Sequence, residues 1–198
     1  MAYIGSKPAD KPVVASDLDP TIITGQTALA VAPADTDEFL ISDAGVLKRL
    51  DASLVGGGLI LQVLGATDST NRSTSSTSFV TASNSLSVDI TPSSTSSKIF
   101  ILVTANIGQD GGDNKPALTI YRDSTNLGSS DGMCEFRHAT RGDLFLPASV
   151  SYLDSPSSTS ALTYQLYIRC ATGTAILNSS HPVGATLKSS ITVMEIAG

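Results

Sequence analysis

The sequence predicts an all-β protein: an extended N-terminal arm and a hairpin, followed by an antiparallel β-sandwich of jelly-roll type. Three observations carry this. Apolar and polar residues alternate in short runs, as in Leu86-Ser-Val-Asp-Ile90 and the first half of Ile191-Thr-Val-Met-Glu-Ile196. A period of two buries one strand face and leaves the other wet. Polar turn clusters at 108–115, 123–126 and 154–160 separate these runs, and no window of a dozen residues carries a convincing helical period. Many short strands with frequent turns are the pattern of a sandwich or jelly roll.

Taken in order, residues 1–31 read as an extended attachment arm. Pro8, Pro12 and Pro20 interrupt regular structure there, and the apolar residues come in small groups: Tyr3-Ile4, Val13-Val14, Leu18 and Ile22-Ile23. Such a segment buries too little apolar surface to order itself. It is either a disordered tail or an arm lying along a neighbour, and the docked arm is the preferred reading. Residues 32–58 read as a hairpin and a joint. Glu38–Ser42 and Val46–Leu50 are the strands, 43–45 is the turn, and Gly56-Gly57-Gly58 is the joint. A lone hairpin is marginal in water and needs a surface to pack on. Residues 59–198 read as the β head, with strands expected at 59–64, 79–82, 86–91, 98–107, 117–122, 144–153, 161–171, 175–178 and 188–196. The Ser/Thr-rich stretch 67–97 reads as hydroxyl-faced strands and turns in preference to a linker.

Composition narrows the function. Charged residues are 15% of a 198-residue chain and the formal net charge is −6. With no basic cluster, a phosphate backbone has nothing to release its counterions, so no nucleic-acid partner is expected. No run approaches the ~18 apolar residues of a membrane span. The start MAYIGSKPAD lacks the pattern of a secretion signal. Cys134 and Cys170 read as two buried free thiols rather than a disulfide framework.

Catalytic and metal signatures are absent as patterns, so no enzyme activity, cofactor or metal is expected. His138 and His181 lack an oriented partner. Cys134, Cys170 and His138 lack the paired spacing of structural zinc. Asp110, Asp113 and Asn114 sit in a loop without the closing Glu of a calcium loop, and the triple glycine lacks the GK[ST] of a phosphate loop. Arg141-Gly-Asp143 reads as turn chemistry before a strand. Tyr121, Tyr152, Tyr164 and Tyr167 read as core or interface residues with bonded hydroxyls, in preference to a sugar platform.

Three stretches resemble structural proteins of tailed-phage particles. MAYIGSKPADKP resembles the starts of phage fibre and head-decoration proteins. PADTDEFLISDAGVLKRLDASLV resembles a short hairpin module found in such proteins. ALTYQLYIRCATGTAILN with the terminal SSITVMEIAG resembles trimerising jelly-roll heads, and is similar also to tumour-necrosis-factor-like and C1q-like heads. The resemblance implies a homotrimer in the virion, made in the host cytoplasm, with other virion proteins as partners. A capsid decoration (cement) protein or head fibre is the first expectation. Its docking residues would be Tyr3, Ile4, Val13, Val14, Ile22, Ile23, Phe39 and Ile41. The alternative is a short tail fibre binding host surface glycan or protein through loops that contain Asp110, Asp113, Asn114, Asn126 and Asp154.

Overall fold

The computed structural model describes residues 27, 33–34, 36–55, 59–109, 112–137, 142–179 and 186–198, apart from the side chains of Leu47 and Ser53. Tyr3, Ile4, Val13, Val14, Ile22, Ile23, Asp110, both histidines, Arg141 and the triple glycine lie outside the described residues. The chain forms two units, Met1–Gly56 and Gly57–Gly198.

In the first unit, β1 (Glu38–Asp43) pairs antiparallel with β2 (Val46–Asp51), with Phe39 opposite Leu50 and Ile41 opposite Lys48. Ala44 and Gly45 connect them at φ 51° and 82°. Two successive positive φ values make the tight turn whose twist matches that of paired strands, and glycine takes one of them without strain. Asp43, expected in the turn, instead closes β1 and pairs with Lys48. A single 3-10 turn, Ala52–Leu54, follows. It is tied back by the Ala52 N–H donating to the Asp37 carbonyl at 2.7 Å.

The second unit contains β3 (Ile60–Asp68), β4 (Arg72–Thr74), β5 (Val80–Thr81), β6 (Ser87–Ile90), β7 (Lys98–Gln109) and β8 (Pro116–Arg122). Then come β9 (Thr125–Asn126), β10 (Cys134–Glu135), β11 (Leu144–Asp154), β12 (Leu162–Cys170), β13 (Ala175–Leu177) and β14 (Ser189–Ile196). All pairings are antiparallel. β3 and β4 are two stretches of one edge, since they pair with β14 and β13, which lie end to end along the same side of β7. β11 covers the other side of β7. In the opposing sheet, β5 and β6 lie along one side of β12, and β8 lies along its other side. The outer side of β8 carries β9 and β10.

Merging the collinear pieces gives eight strand positions in chain order. One sheet runs first–eighth–third–sixth and the other second–seventh–fourth–fifth. That is the double Greek-key order of a jelly roll. Between the sheets lie Ile99, Ile101, Val103, Ile107, Ile191 and Val193 from one side, and Leu118, Ile120, Tyr164, Leu166 and Ile168 from the other, all fully buried or nearly so. β-branched residues dominate, as a pleated, half-buried surface favours.

The eighth position breaks between β13 and β14 at a polar knot. Asn178, at φ 63°, donates from Nδ2 to the Thr70 carbonyl at 3.0 Å and accepts from the Ser189 hydroxyl at 2.5 Å. The expected strand 175–178 therefore stops at Leu177, because Asn178 leaves the extended region. The other differences have similar local causes. β3 runs on to Asp68, where a capped carboxylate ends it. The cluster at 123–126, expected to be all turn, contains β9. β4 falls in the stretch read as hydroxyl-faced strands and turns, without bounds of its own, and β9 and β10 were not expected, being two residues long with no periodicity of their own.

Candidate functional site

The described residues leave two apolar surfaces without an internal partner. The first is on the hairpin. β-strand alternation and the register place Phe39, Ile41, Val46 and Leu50 on one face. Phe39, Leu40, Val46, Leu54 and Val55 are exposed, Leu40 by 75% and Leu54 by 72%. Ile41 and Leu50 are half-buried. The Lys48–Asp43 ion pair lies on this same face, and the Arg49–Glu38 pair lies on the other, with Leu40. Phe39 and Ile41, both expected from the sequence as docking residues, thus lie on one face.

The second surface is the outer face of the sheet built on β7. The registers align Val63, Met194, Phe100 and Leu153 as one row across all four strands. The next row toward the strand ends has Ile60 opposite Ile196, after a one-residue shift in register. On the other side come Gly65, Thr192, Leu102 and Ser151, then Thr67, Ser190, Thr104 and Ser149. Val63 and Leu153, at the two ends of the apolar row, are 56% and 49% exposed, while Met194 and Phe100 between them are half-buried. Leu59 and Leu61 add exposed apolar surface at the start of β3. The sequence reading missed this face. Its signal is the run Leu59-Ile-Leu-Gln-Val-Leu64, which does not alternate, so apolar side chains point both ways.

The loop residues expected as ligand contacts are held in internal bonds. The Asp113 carboxylate receives two bonds from the Arg137 guanidinium, at 2.5 and 2.6 Å. That contact keeps its pKa below the ordinary carboxylate value. Asn114 is buried, with Nδ2 at 3.5 Å from the Thr174 carbonyl. Asn126 accepts from the Thr119 hydroxyl at 2.7 Å and from the Gly128 N–H at 2.9 Å. Asp154 is buried at the end of β11. It accepts from Arg122 at 2.6 Å and from the Tyr164 hydroxyl at 2.7 Å. Asp113 and Asn114 precede β8, whereas Asn126 and Asp154 lie at its far end beside Tyr121 and Arg122, so the four do not form one cluster.

The tyrosines divide between the two sides of their sheet. Tyr164 points into the core, where burial raises its hydroxyl pKa and the bond to Asp154 raises it further. Tyr121 and Tyr167 lie on the outer face, stacked at 3.9 Å between centroids, with Phe79 at 6.5 Å from Tyr121 and Arg169 over the Phe79 ring at 5.1 Å. Arg169 is also paired to Asp131 and Glu135. Gly132 passes over this cluster at φ 96°; an added Cβ would meet the Leu118 carbonyl at 2.7 Å and the Phe79 ring at 2.8 Å. The loop from β9 to β10 is thereby fastened down on the sheet. Cys134 and Cys170 are free thiols, the latter buried. Among the described residues, no three metal-binding side chains cluster and no helix is long and apolar enough to cross a membrane.

Comparison with known proteins adds little. No protein-family description matches the sequence, and no curated protein matches it. Among solved structures, the chain is similar to a structure of infectious bursal disease virus, Gx strain, at 14% identity and a TM-score of 0.31. That match covers 78% of this chain and 41% of the other. It is also similar to a VP2 subviral particle of infectious bursal disease virus, at 15% identity and a TM-score of 0.33, covering 82% of this chain and 43% of the other. The chain thus spans less than half the length of these structures. At such scores the likeness carries no argument, and the fold assignment rests on the strand order.

Proposed function

We propose that this chain is a structural subunit of a virus particle of the tailed-phage kind. In this reading it attaches to other virion proteins through its front segment and projects the jelly-roll head as a homotrimer, in the manner of a capsid decoration protein or head fibre. One observation carries the reading. Of the thirteen large apolar side chains exposed among the described residues, five, Phe39, Leu40, Val46, Leu54 and Val55, lie on the hairpin and the short turn that follows it. Scattered apolar residues are ordinary on a surface, but a concentration in one segment marks a contact with another molecule. The head supports the reading from the other side: it has its own closed core. The low share of charged residues agrees, since interface cores are depleted in charge.

Attachment would then be apolar burial multiplied by valency. Burying a Phe or Leu side chain contributes about 1.5–3 kcal/mol, so a few such residues per copy give contacts that are weak singly and firm together. A second reading, a short tail fibre recognising host surface glycan or protein, draws support from the half-exposed Tyr121–Tyr167 stack beside the 123–132 loop. The exposed hairpin favours the first.

The test is cross-linking mass spectrometry on the intact particle, reading from Lys48 on the hairpin. Cross-links to shell subunits are the expected result. Cross-links to tail or baseplate chains would establish the second reading. Absence of the chain from purified particles would overturn both.

A further inference from the structure

We propose that the outer face of the sheet built on β7 is where copies of this chain meet one another, with the Val63–Met194–Phe100–Leu153 row at the centre of the contact. This deepens the reading of the chain as an oligomeric virion subunit and rests on it. The occupant is a second copy of the same chain, and charge is the reason. The chain carries a formal charge of −6, so two copies repel unless they meet through a surface without acids. The rows of this face hold no Asp or Glu. The acids of its strands are turned inward: Asp68, Asp154 and Glu195 are all buried. Among the described residues of the head, the exposed acids are Asp89, Asp123, Asp131 and Glu135 on the opposing sheet and its loops, and Asp113 in the loop between β7 and β8. Among the described residues the outer face of the β7 sheet is thus free of acids, so copies meeting there bring no carboxylates together.

The chemistry of the face agrees. Its apolar row grades into hydroxyls at Thr67, Ser190, Thr104 and Ser149 on one side, and on the other the Ile60–Ile196 row ends on exposed Lys98, an apolar centre with a polar rim. Size also constrains the contact. Four strands at about 4.8 Å spacing and six residues at about 3.3 Å give a face of roughly 400 Å². A stable interface uses about 800 Å² per partner. The face falls short of that area, which makes the contact a weak one. Self-association is accordingly reversible and concentration-dependent.

The experiment uses the full-length chain and measures its mass in solution by analytical ultracentrifugation. Wild type is expected above the mass of a single chain, with a weight-average mass that rises with concentration. V63E/L153E changes two half-exposed positions at the ends of the row and places like charges on the contact, with at least a tenfold loss of association expected. T159E, in the exposed 154–160 loop, is the control expected to retain the wild-type mass. Circular dichroism and thermal melting check that both variants fold. A second arm mixes V63E/L153E with V63K/L153K: restored association shows that the two faces touch, which lost folding cannot mimic. A monomeric wild type, or a V63E/L153E variant with unchanged mass, overturns the proposal. The attachment reading fails separately, since it is read from cross-links on the particle.

Discussion

Asp154 closes β11 with a carboxylate that satisfies two otherwise stranded groups. Arg122 and the fully buried Tyr164 hydroxyl both donate to it, at 2.6 and 2.7 Å. Truncating one member of such a set leaves the others unpaired in a low-dielectric setting, where the loss exceeds the value of the bond itself. Asp154→Ala is expected to destabilise the head by about 3 kcal/mol in chemical denaturation; a loss below about 1 kcal/mol would contradict this account of the network. Two other carboxylates report on pH. Burial raises the pKa of Asp68, but bonds from Ser83, Thr70 and Arg72 outweigh it and bring it from 3.8 to about 2. Glu195 behaves likewise: burial raises it, and Ser93, Gln62 and Ser97 bring it from 4.5 to about 2. Both folded values lie below the unfolded ones, so the stability they contribute is complete above the unfolded values and is lost as pH falls through about 2. Together they account for a loss of about 3 kcal/mol between pH 7 and pH 3. Urea denaturation at the two pH values measures it. In D68N/E195Q the drop should shrink by about that amount, and an unchanged drop would contradict the assignment.

The two edges of the β7 sheet are built differently, and the difference has consequences at the level of the strand. Among the described residues β11 pairs only with β7, leaving its other side open. Pro147 sits in its middle, opposite Asn106. Asn106 directs its N–H to Ser189 and its carbonyl to the Asn178 N–H, both away from β11. Pro147 is thus at a non-hydrogen-bonded position, and its ring nitrogen faces the open edge, where it denies a donor to any incoming strand. β3, the other edge, has neither proline nor charge from Ile60 to Thr67. Edges are normally protected, so an unprotected one beside an apolar face is a place of contact. Pro147→Thr should keep the head within about 1 kcal/mol of its stability, because no ladder bond depends on that residue. It should also raise aggregation, read by light scattering on warming; an unchanged aggregation rate would contradict the edge-blocking role. Most long strands were legible in the sequence because period-two patterns such as that of 86–90 survive in the fold. The bounds of β4 were not, nor were β9 and β10, since their two or three residues pair only because β13 and β8 lie alongside. Asp154 read as a ligand-loop residue for the same reason: its partner Arg122 is on a strand distant in sequence. Phe39 and Ile41 were legible because a hairpin's register is local, whereas the apolar row on β3, β14, β7 and β11 needs the eight-strand order before its members become neighbours.

At the scale of the whole molecule, the chain divides its labour between a front segment rich in unpartnered apolar side chains and a head with a closed core. In the head, apolar burial is complete at Ile99, Ile101, Val103, Leu118, Ile120 and Leu166. In the first unit, Ala52 is the buried apolar residue among those described, Ile41 and Leu50 are half-buried, and Phe39, Leu40, Val46, Leu54 and Val55 are exposed. The physical claim beneath the functional reading is that these side chains find their partner on another virion protein. Particle occupancy by a hairpin variant tests it most directly. F39D/L40D/I41D replaces three neighbouring apolar residues of β1 without touching the head. The account predicts a thermal transition of the head unchanged from wild type and a loss of at least tenfold in the number of copies retained on purified particles. Full occupancy by a variant with an intact head would contradict it.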